Sequence, residues 1–253
     1  MTRPNTNLIQ HLPWDSQFFG VNIGIIKSVD LEVEHWPAVM EECREKELAC
    51  LYLLAEPDET AIIQLAEADD FRFMDVRMTL TYKPSTSPGV EKPKIPSGYL
   101  LRNATLQDLS ALKNIARLSH QNTRFYADPN FSRIDCDRLY EVWIENSLKG
   151  YAQQVFVAEN RTSSQAEAYL TCHLKQDHGD IGLTAVHPSA RGYGIGMSLI
   201  QQALVWFSEN GATWIDVVTQ GGSRPAVSLY QKAGFQVSHF QLWFHKWTLT
   251  KNP

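Results

Sequence analysis

Three features of this chain predict a mixed α/β fold: a sheet with parallel and antiparallel strands, helices on both faces, and two units of unequal size. Strand-like apolar runs alternate with helix-like runs along its 253 residues. A glycine-rich loop, Arg191-Gly192-Tyr193-Gly194-Ile195-Gly196, joins a strand-like run (Asp180–Val186) to a helix-like run (Met197–Asn210). Finally, the first third weakly copies the last third. Displaced by 164 positions without a gap, Ala49–Leu54 falls on Thr213–Val218, Ile62–Ala68 on Ala226–Lys232, and Met74–Tyr82 on Ser238–Lys246.

Composition narrows the function classes. The chain is 43% hydrophobic, enough for a sizeable core, and carries a net charge of −5. No Lys/Arg-rich run exists, which argues against nucleic acid as a partner. No run of about 18 apolar residues suggests a membrane span, and Met1–Gln10 lacks an apolar signal core. Cys43, Cys50, Cys136 and Cys172 are scattered, so reduced, buried thiols and a cytoplasmic location are expected. The oligomeric state is open, with a homodimer as one option.

The elements follow in order. The repeat places a strand at 49–54, a helix at 62–68 and a strand at 74–82 in the first part. Residues 83–98 hold four prolines and two glycines and almost nothing apolar, so a linker is expected over 85–98, between units at 1–84 and 99–253. Tyr99–Asn103 reads as a strand. Thr105 is placed to cap a helix with Asp108 in its first turn, and Leu109, Leu112, Ile115, Ala116 and Leu118 give that helix its apolar face. A second helix is expected over Asp137–Ser147, with Trp143 and Asn146 along one side. Strands follow at Val155–Ala158, Ala166–Lys175 and Asp180–Val186. After the loop and its helix come a strand at Trp214–Thr219, a helix at Arg224–Ala233 and a last strand.

The loop itself predicts anion binding. Alternating glycines let the backbone approach a ligand and take positive φ. The helix start adds free N–H groups and the positive end of the helix dipole. This is not the dinucleotide fingerprint, whose last glycine stands one residue further on, and no Gly-Lys-Ser/Thr follows as in a phosphate-binding P-loop. The aligned residues of the first part, Lys27–Glu32, contain no glycine, so that part is expected to lack a cofactor site of its own. Its role would be to pack against the second part and complete a substrate cleft.

Val186-His187-Pro188-Ser189-Ala190-Arg191-Gly192-Tyr193-Gly194-Ile195-Gly196 resembles the acetyl-CoA pyrophosphate loop of the GCN5-related N-acetyltransferases (GNAT). Ser228–Phe235, with Leu229-Tyr230 and Gly234-Phe235, is similar to that family's closing helix. The resemblance implies a GNAT fold over 99–253 and a smaller, degenerate GNAT-like unit before it. It implies acetyl-CoA as co-substrate, with Arg191–Gly196 on the pyrophosphate and Leu183, Thr184, Ala185 and Val186 along the pantetheine arm. Ser223 stands where the family often has Asn, which weakens one pantetheine contact unless Gln220 takes it over. Tyr230 is the expected general acid for the thiolate leaving group, since a phenol of pKa about 10 can donate to a thiolate of pKa about 8.5. Transfer would be direct, through a tetrahedral intermediate whose oxyanion is held by a backbone N–H of Leu183–Val186. No covalent acyl-enzyme and no metal are implied. The general base stays open among His173, His187, Asp180 and ordered water.

Two further blocks, Leu12–Asn22 and Arg124-Phe125-Tyr126 with Trp143–Asn146, resemble the branch of the family that acetylates dTDP-linked amino sugars. That makes a nucleotide-linked amino sugar the expected acceptor. Arg124 would suit its diphosphate, and Phe125, Tyr126, Phe18 and Phe19 its base. For Phe18 and Phe19 an aromatic plug is an equal reading. The alternatives are another small amine, amino acid or peptide N-terminus, or a CoA-binding module without catalysis.

Overall fold

A computed structural model describes residues 8–27, 31–84 and 92–248. Residues 85–91 of the expected linker, and residues 28–30 of the segment matched to the glycine loop, lie outside the described residues. The chain forms two compact units that interleave along the sequence. The first comprises Met1–Arg77, Thr123–Ser132 and Phe240–Pro253, and the second Met78–Asn122 and Arg133–His239.

In the first unit, β1 (Gln10–His11), β2 (Ile23–Lys27), β3 (Cys50–Ala55) and the end of β10 (Gln236–Trp247) follow one another across the sheet. β2 runs parallel to β3, with Ile23 opposite Cys50 and Lys27 opposite Leu54. β10 lies antiparallel to β3, from Leu242 opposite Ala55 to Trp247 opposite Cys50. α1 (Pro13–Phe19), α2 (Trp36–Glu45) and α3 (Thr60–Ala68) complete it, with the start of β4 (Arg72–Tyr82). The core gathers Ile26, Trp36, Val39, Leu51, Leu53, Ile62, Phe71 and Phe244.

The second unit holds the end of β4, then β9 (Trp214–Gln220), β8 (His178–Val186), β7 (Gln165–Lys175), β6 (Gln154–Asn160) and β5 (Tyr99–Asn103). Its helices are α4 (Leu109–Ser119), α6 (Arg133–Asn146), α7 (Ile195–Glu209) and α8 (Arg224–Lys232), while the short α5 (Arg124–Ala127) belongs to the first unit. α4 begins as predicted around Thr105 and Asp108, but through a 3₁₀ turn at Leu106–Asp108. Asp108 accepts from the Thr105 N–H at 2.8 Å and takes a bidentate pair from Arg102. α6 starts earlier than expected and runs on into a π turn at Ser147–Tyr151. α7 buries Leu199, Ile200, Ala203, Leu204 and Phe207, the i, i+4, i+8 stripe of a core helix. Gly211, at φ 81°, ends it, and the Ala212 N–H bonds back to Phe207 O at 2.9 Å.

The copy holds from α2 onward: α2 and the end of α7, β3 and β9, α3 and α8, and then β4 and β10 keep the constant displacement. Upstream it does not. At that displacement Ile23 would fall on His187, yet strand pairing sets it against His178, because Ile23 pairs with Cys50 and His178 with Trp214. The second unit thus has a longer strand and loop before its helix, and that extra length includes the glycine loop.

All four cysteines are buried and free. Among the described residues, no helix is long and apolar enough to cross a membrane.

Candidate active site

The glycine loop follows β8. His187 shapes it, because its Nδ1 accepts from the Ser189 N–H at 3.3 Å and caps a 3₁₀ turn over Pro188–Ala190. Arg191 folds back on the strand end: Nε donates to Val186 O at 3.1 Å and Nη2 to Ser119 Oγ at 3.3 Å. Gly192 and Gly194 stand at φ 87° and 85°, a region that costs a side-chain-bearing residue about 1 kcal/mol or more. Gly194 caps α7, so the N–H groups of Ile195, Gly196 and Met197 have no partner within the helix. The Ile195 side chain lies in the core, which leaves only its N–H for a ligand, whereas Tyr193 is exposed. A Cβ on Gly196 would sit 3.0 Å from Leu229 Cδ2 of α8. Part of the segment read as linker is fastened beside this loop. Ser198 Oγ donates to Lys94 O at 2.6 Å, and the Lys94 N–H to Gln201 Oε1 at 3.1 Å.

Between β8 and β9 the sheet opens. Their parallel pairing runs from His178/Trp214 to Ile181/Val217, although both strands continue to Val186 and Gln220. A bulge marks the point: β7 moves from Leu170 to Cys172 while β8 moves from Thr184 to Ile181. The Leu183 N–H is taken by Thr171 Oγ1 at 2.7 Å and the His187 N–H by Glu167 O at 2.7 Å, so both point toward β7. By the alternation of an antiparallel strand, the Thr184 and Val186 N–H groups then point the other way, into the opening. Of the four strand residues expected to carry pantetheine, these two present free donors, and Leu183 does not.

Tyr230, on α8, sits beside Thr184 with 5% of its surface exposed and packs on Phe235. Burial pushes its pKa up to about 12, while the neighbouring Thr184 hydroxyl acts weakly in the opposite sense. The phenol is therefore a proton holder at neutral pH. Thr184 Oγ1 is itself buried without a hydrogen bond of normal geometry. Ser223 precedes α8 and makes only backbone bonds in the loop, its N–H to Gln220 O and its carbonyl to the Val227 N–H.

A polar row crosses the sheet next to the opening. His173 faces Asp180, and Asp180 faces Asp216. His178 Nε2 lies 3.0 Å from Asp216 Oδ2, and Thr81 Oγ1 donates to Asp216 Oδ1 at 2.5 Å. Burial lowers the His173 pKa, against a smaller upward pull from the Tyr151 backbone and Asp180. A Cβ on Gly182 would sit 2.7 Å from His173 Nε2, so this nitrogen faces the bulge. His187 is occupied in its turn.

The expected acceptor residues gather in the first unit. Phe19 packs on Phe125 at 5.5 Å and on Phe131 at 4.3 Å, while Phe18 stacks on Trp14 at 5.2 Å. Phe125 is buried and Tyr126 half-buried. The Arg124 guanidinium lies 4.1 Å from the Tyr52 and Phe125 ring centroids and 4.3 Å from that of Trp243. Its Nη1 donates to His245 Nε2 at 2.8 Å. Among the described residues, its partners are these rings and His245, not a carboxylate at ion-pair distance. Asp75 accepts from the Arg124 backbone N–H, and burial raises its pKa to about 6. Sequence reading did not find Tyr52, Asp128, Trp243 or His245. Isolated aromatic and histidine positions on strands look like ordinary packing.

Residues 152–237 match the family model described as acetyltransferase (GNAT) domain. That match and the relatives' names indicate an acetyl-CoA-dependent N-acetyltransferase. It is 26% identical to the dTDP-fucosamine acetyltransferase of Escherichia coli O6:H1, over 94% of this chain and 97% of that one. It is also 26% identical to the spore coat polysaccharide biosynthesis protein SpsD of Bacillus subtilis, over 55% of this chain and 48% of that protein. In fold it resembles a GCN5-related N-acetyltransferase from Sphaerobacter thermophilus, with a TM-score of 0.65 at 15% identity, over 94% of this chain and 76% of that one.

Proposed function

We propose that this enzyme acetylates the amine of a nucleotide-linked amino sugar. The carrying observation is Arg124, a cation stacked on aromatic rings with no ion-pair partner and with Asp15 and Asp75 in its field. A cation stacked on aromatic rings matches a ligand that bears a diphosphate. The name of the Escherichia coli relative supports the same class.

The second unit would bind acetyl-CoA. The Arg191–Gly196 main chain and the first turn of α7 suit a pyrophosphate, and glycine at 192 and 194 meets the positive φ of that loop. The Thr184 and Val186 N–H groups would meet the pantetheine arm and the developing oxyanion. Tyr230 would hold the proton that the leaving sulfur needs, and its raised pKa keeps that proton in place at neutral pH. His173, held neutral by burial and facing the bulge, would take the proton from the amine. Acetyl-CoA, when bound, supplies the activated acetyl group.

The test is thiol release from acetyl-CoA with a panel of dTDP- and UDP-linked amino sugars, using simple amines as controls. Turnover confined to a nucleotide sugar is expected. Turnover with simple amines alone would discard the acceptor assignment.

A further inference from the structure

Among the described residues, Arg124 is not held by a counter-ion. It is held by a chain of hydrogen bonds that ends in one. Asp128 is 1% exposed and both its oxygens are engaged. Oδ2 accepts from His245 Nδ1 at 2.7 Å and from Trp247 Nε1 at 2.8 Å. Oδ1 accepts from the Asn130 N–H and from Asn130 Nδ2, both at 2.9 Å. These bonds favour the carboxylate form of Asp128. An ionised carboxylate only accepts, so the proton of the His245 ring sits on Nδ1. A guanidinium only donates, so Nε2 must offer its lone pair to Arg124. Both ends therefore dictate one neutral tautomer, and the imidazole passes the orientation of Asp128 on to Arg124.

We infer that Asp128 and His245 are positioning residues that fix the Arg124 guanidinium as a receptor for the acceptor's diphosphate. This inference rests on the acceptor reading above. A purely structural role explains the arrangement less well. An arginine half-buried against Tyr52 and Trp243 carries a desolvation cost that an apolar side chain of similar size would avoid. Two hydroxyls beside it also lack partners of normal geometry. They are Thr123 Oγ1, one residue before Arg124, and Tyr52 Oη, in a fully buried residue whose hydroxyl has only the Arg124 guanidinium beside it. Buried polar groups are rarely left unpaired, and phosphate oxygens would complete these. The charged and titratable groups that face Arg124 are Asp15 on α1, Cys50 and Tyr52 on β3, Asp75 on β4 and His245 on β10. None of them is a carboxylate within ion-pair distance, so the guanidinium charge is available to a ligand.

The experiment is calorimetric titration of the full chain with dTDP, and with acetyl-CoA as control. The proteins are wild type, Arg124→Ala, His245→Leu and His245→Gln. Losing a hydrogen bond that orients a charged group should weaken dTDP on the order of 10- to 100-fold in His245→Leu, with acetyl-CoA unchanged. Gln can present Oε1 where Nε2 stood, so His245→Gln should recover most of the affinity. A merely structural histidine would show no such recovery. If His245→Leu does not fold, ¹⁵N NMR of the wild-type imidazole decides. The inference needs Nδ1 protonated, Nε2 unprotonated and a shift on adding dTDP, and a ring protonated at Nε2 overturns it. Wild-type affinity for dTDP in His245→Leu overturns this inference alone. Failure of the wild type to bind dTDP overturns the acceptor reading with it.

Discussion

Each unit contains a parallel strand pair followed by a helix, and the two pairs differ in one respect. In the first unit, β2 and β3 stay paired along all of β2, from Ile23 to Lys27. In the second, β8 and β9 part after Ile181 and Val217 and leave the rest of β8 unpaired on that side. A closed ladder satisfies its own amides and has nothing to offer a ligand. An open one leaves donors in place, which is tolerable only where a ligand or water meets them. The loops differ in the same sense, because the second carries glycines at positive φ and the first has none. The two units share an architecture, but among the described residues it is the second whose parallel pair parts.

The largest expected effect tests that contrast directly. Gly194→Asp puts a side chain at φ 85° and a negative charge before α7, and should weaken acetyl-CoA binding by more than about 100-fold with an unchanged circular dichroism spectrum. Titration of the wild type should return one acetyl-CoA per chain, and a second equivalent would break the comparison.

Next come the two buried tyrosines, whose phenols burial drives upward, Tyr230 to about 12 and Tyr52 further. Tyr230→Phe should lower kcat by about 10²- to 10³-fold while leaving acetyl-CoA affinity within roughly threefold. Tyr52→Phe should leave the chemical step intact and raise the KM of the acceptor. An unchanged kcat in Tyr230→Phe would remove the phenol from proton transfer.

Each unit also encloses a histidine, His245 buried and His120 half-buried. His120 bonds Tyr169 Oη at 3.0 Å and stacks on Tyr140, and His245 bonds Asp128. Burial lowers both to about 4. Between the unfolded value near 6.5 and about 4, the unfolded chain binds more protons than the native one, so stability falls as pH falls. The slope is about 1.4 kcal/mol per pH unit for each group. Asp75, raised to about 6, works in the opposite sense and offsets part of this. Urea midpoints at pH 7 and pH 5 check the sign, and a midpoint that rises on acidification would contradict it.

The smallest effect concerns the bulge. Thr171→Val removes the acceptor of the Leu183 N–H. It should cost about 1 kcal/mol in stability and raise the acetyl-CoA KM a few-fold. An unchanged KM would mean that the bulge does not depend on that hydroxyl.

The glycine loop was legible because positive φ at 192 and 194 requires a residue type that sequence displays. The capping residues Thr105 and Asp108 were legible for the same kind of reason, since the bond they make is local. α5 and the early start of α6 were not, because the Arg124–Ala127 turn draws its stability from Phe19, Phe131 and β10 rather than from its own spacing. Arg124 was named from its residue type, but its surroundings come from β3, α5 and β10, far apart in the chain.

The sequence by itself determined where the backbone must turn through positive φ before α7 and where α4 is capped, because those depend on a few adjacent residues. Only the tertiary structure decided which amides of β8 stay unpaired, since that depends on where β9 diverges and on a hydroxyl from β7. Only it could show that Arg124 is oriented through His245 by Asp128, because a tautomer is fixed by the partners on both sides of the ring.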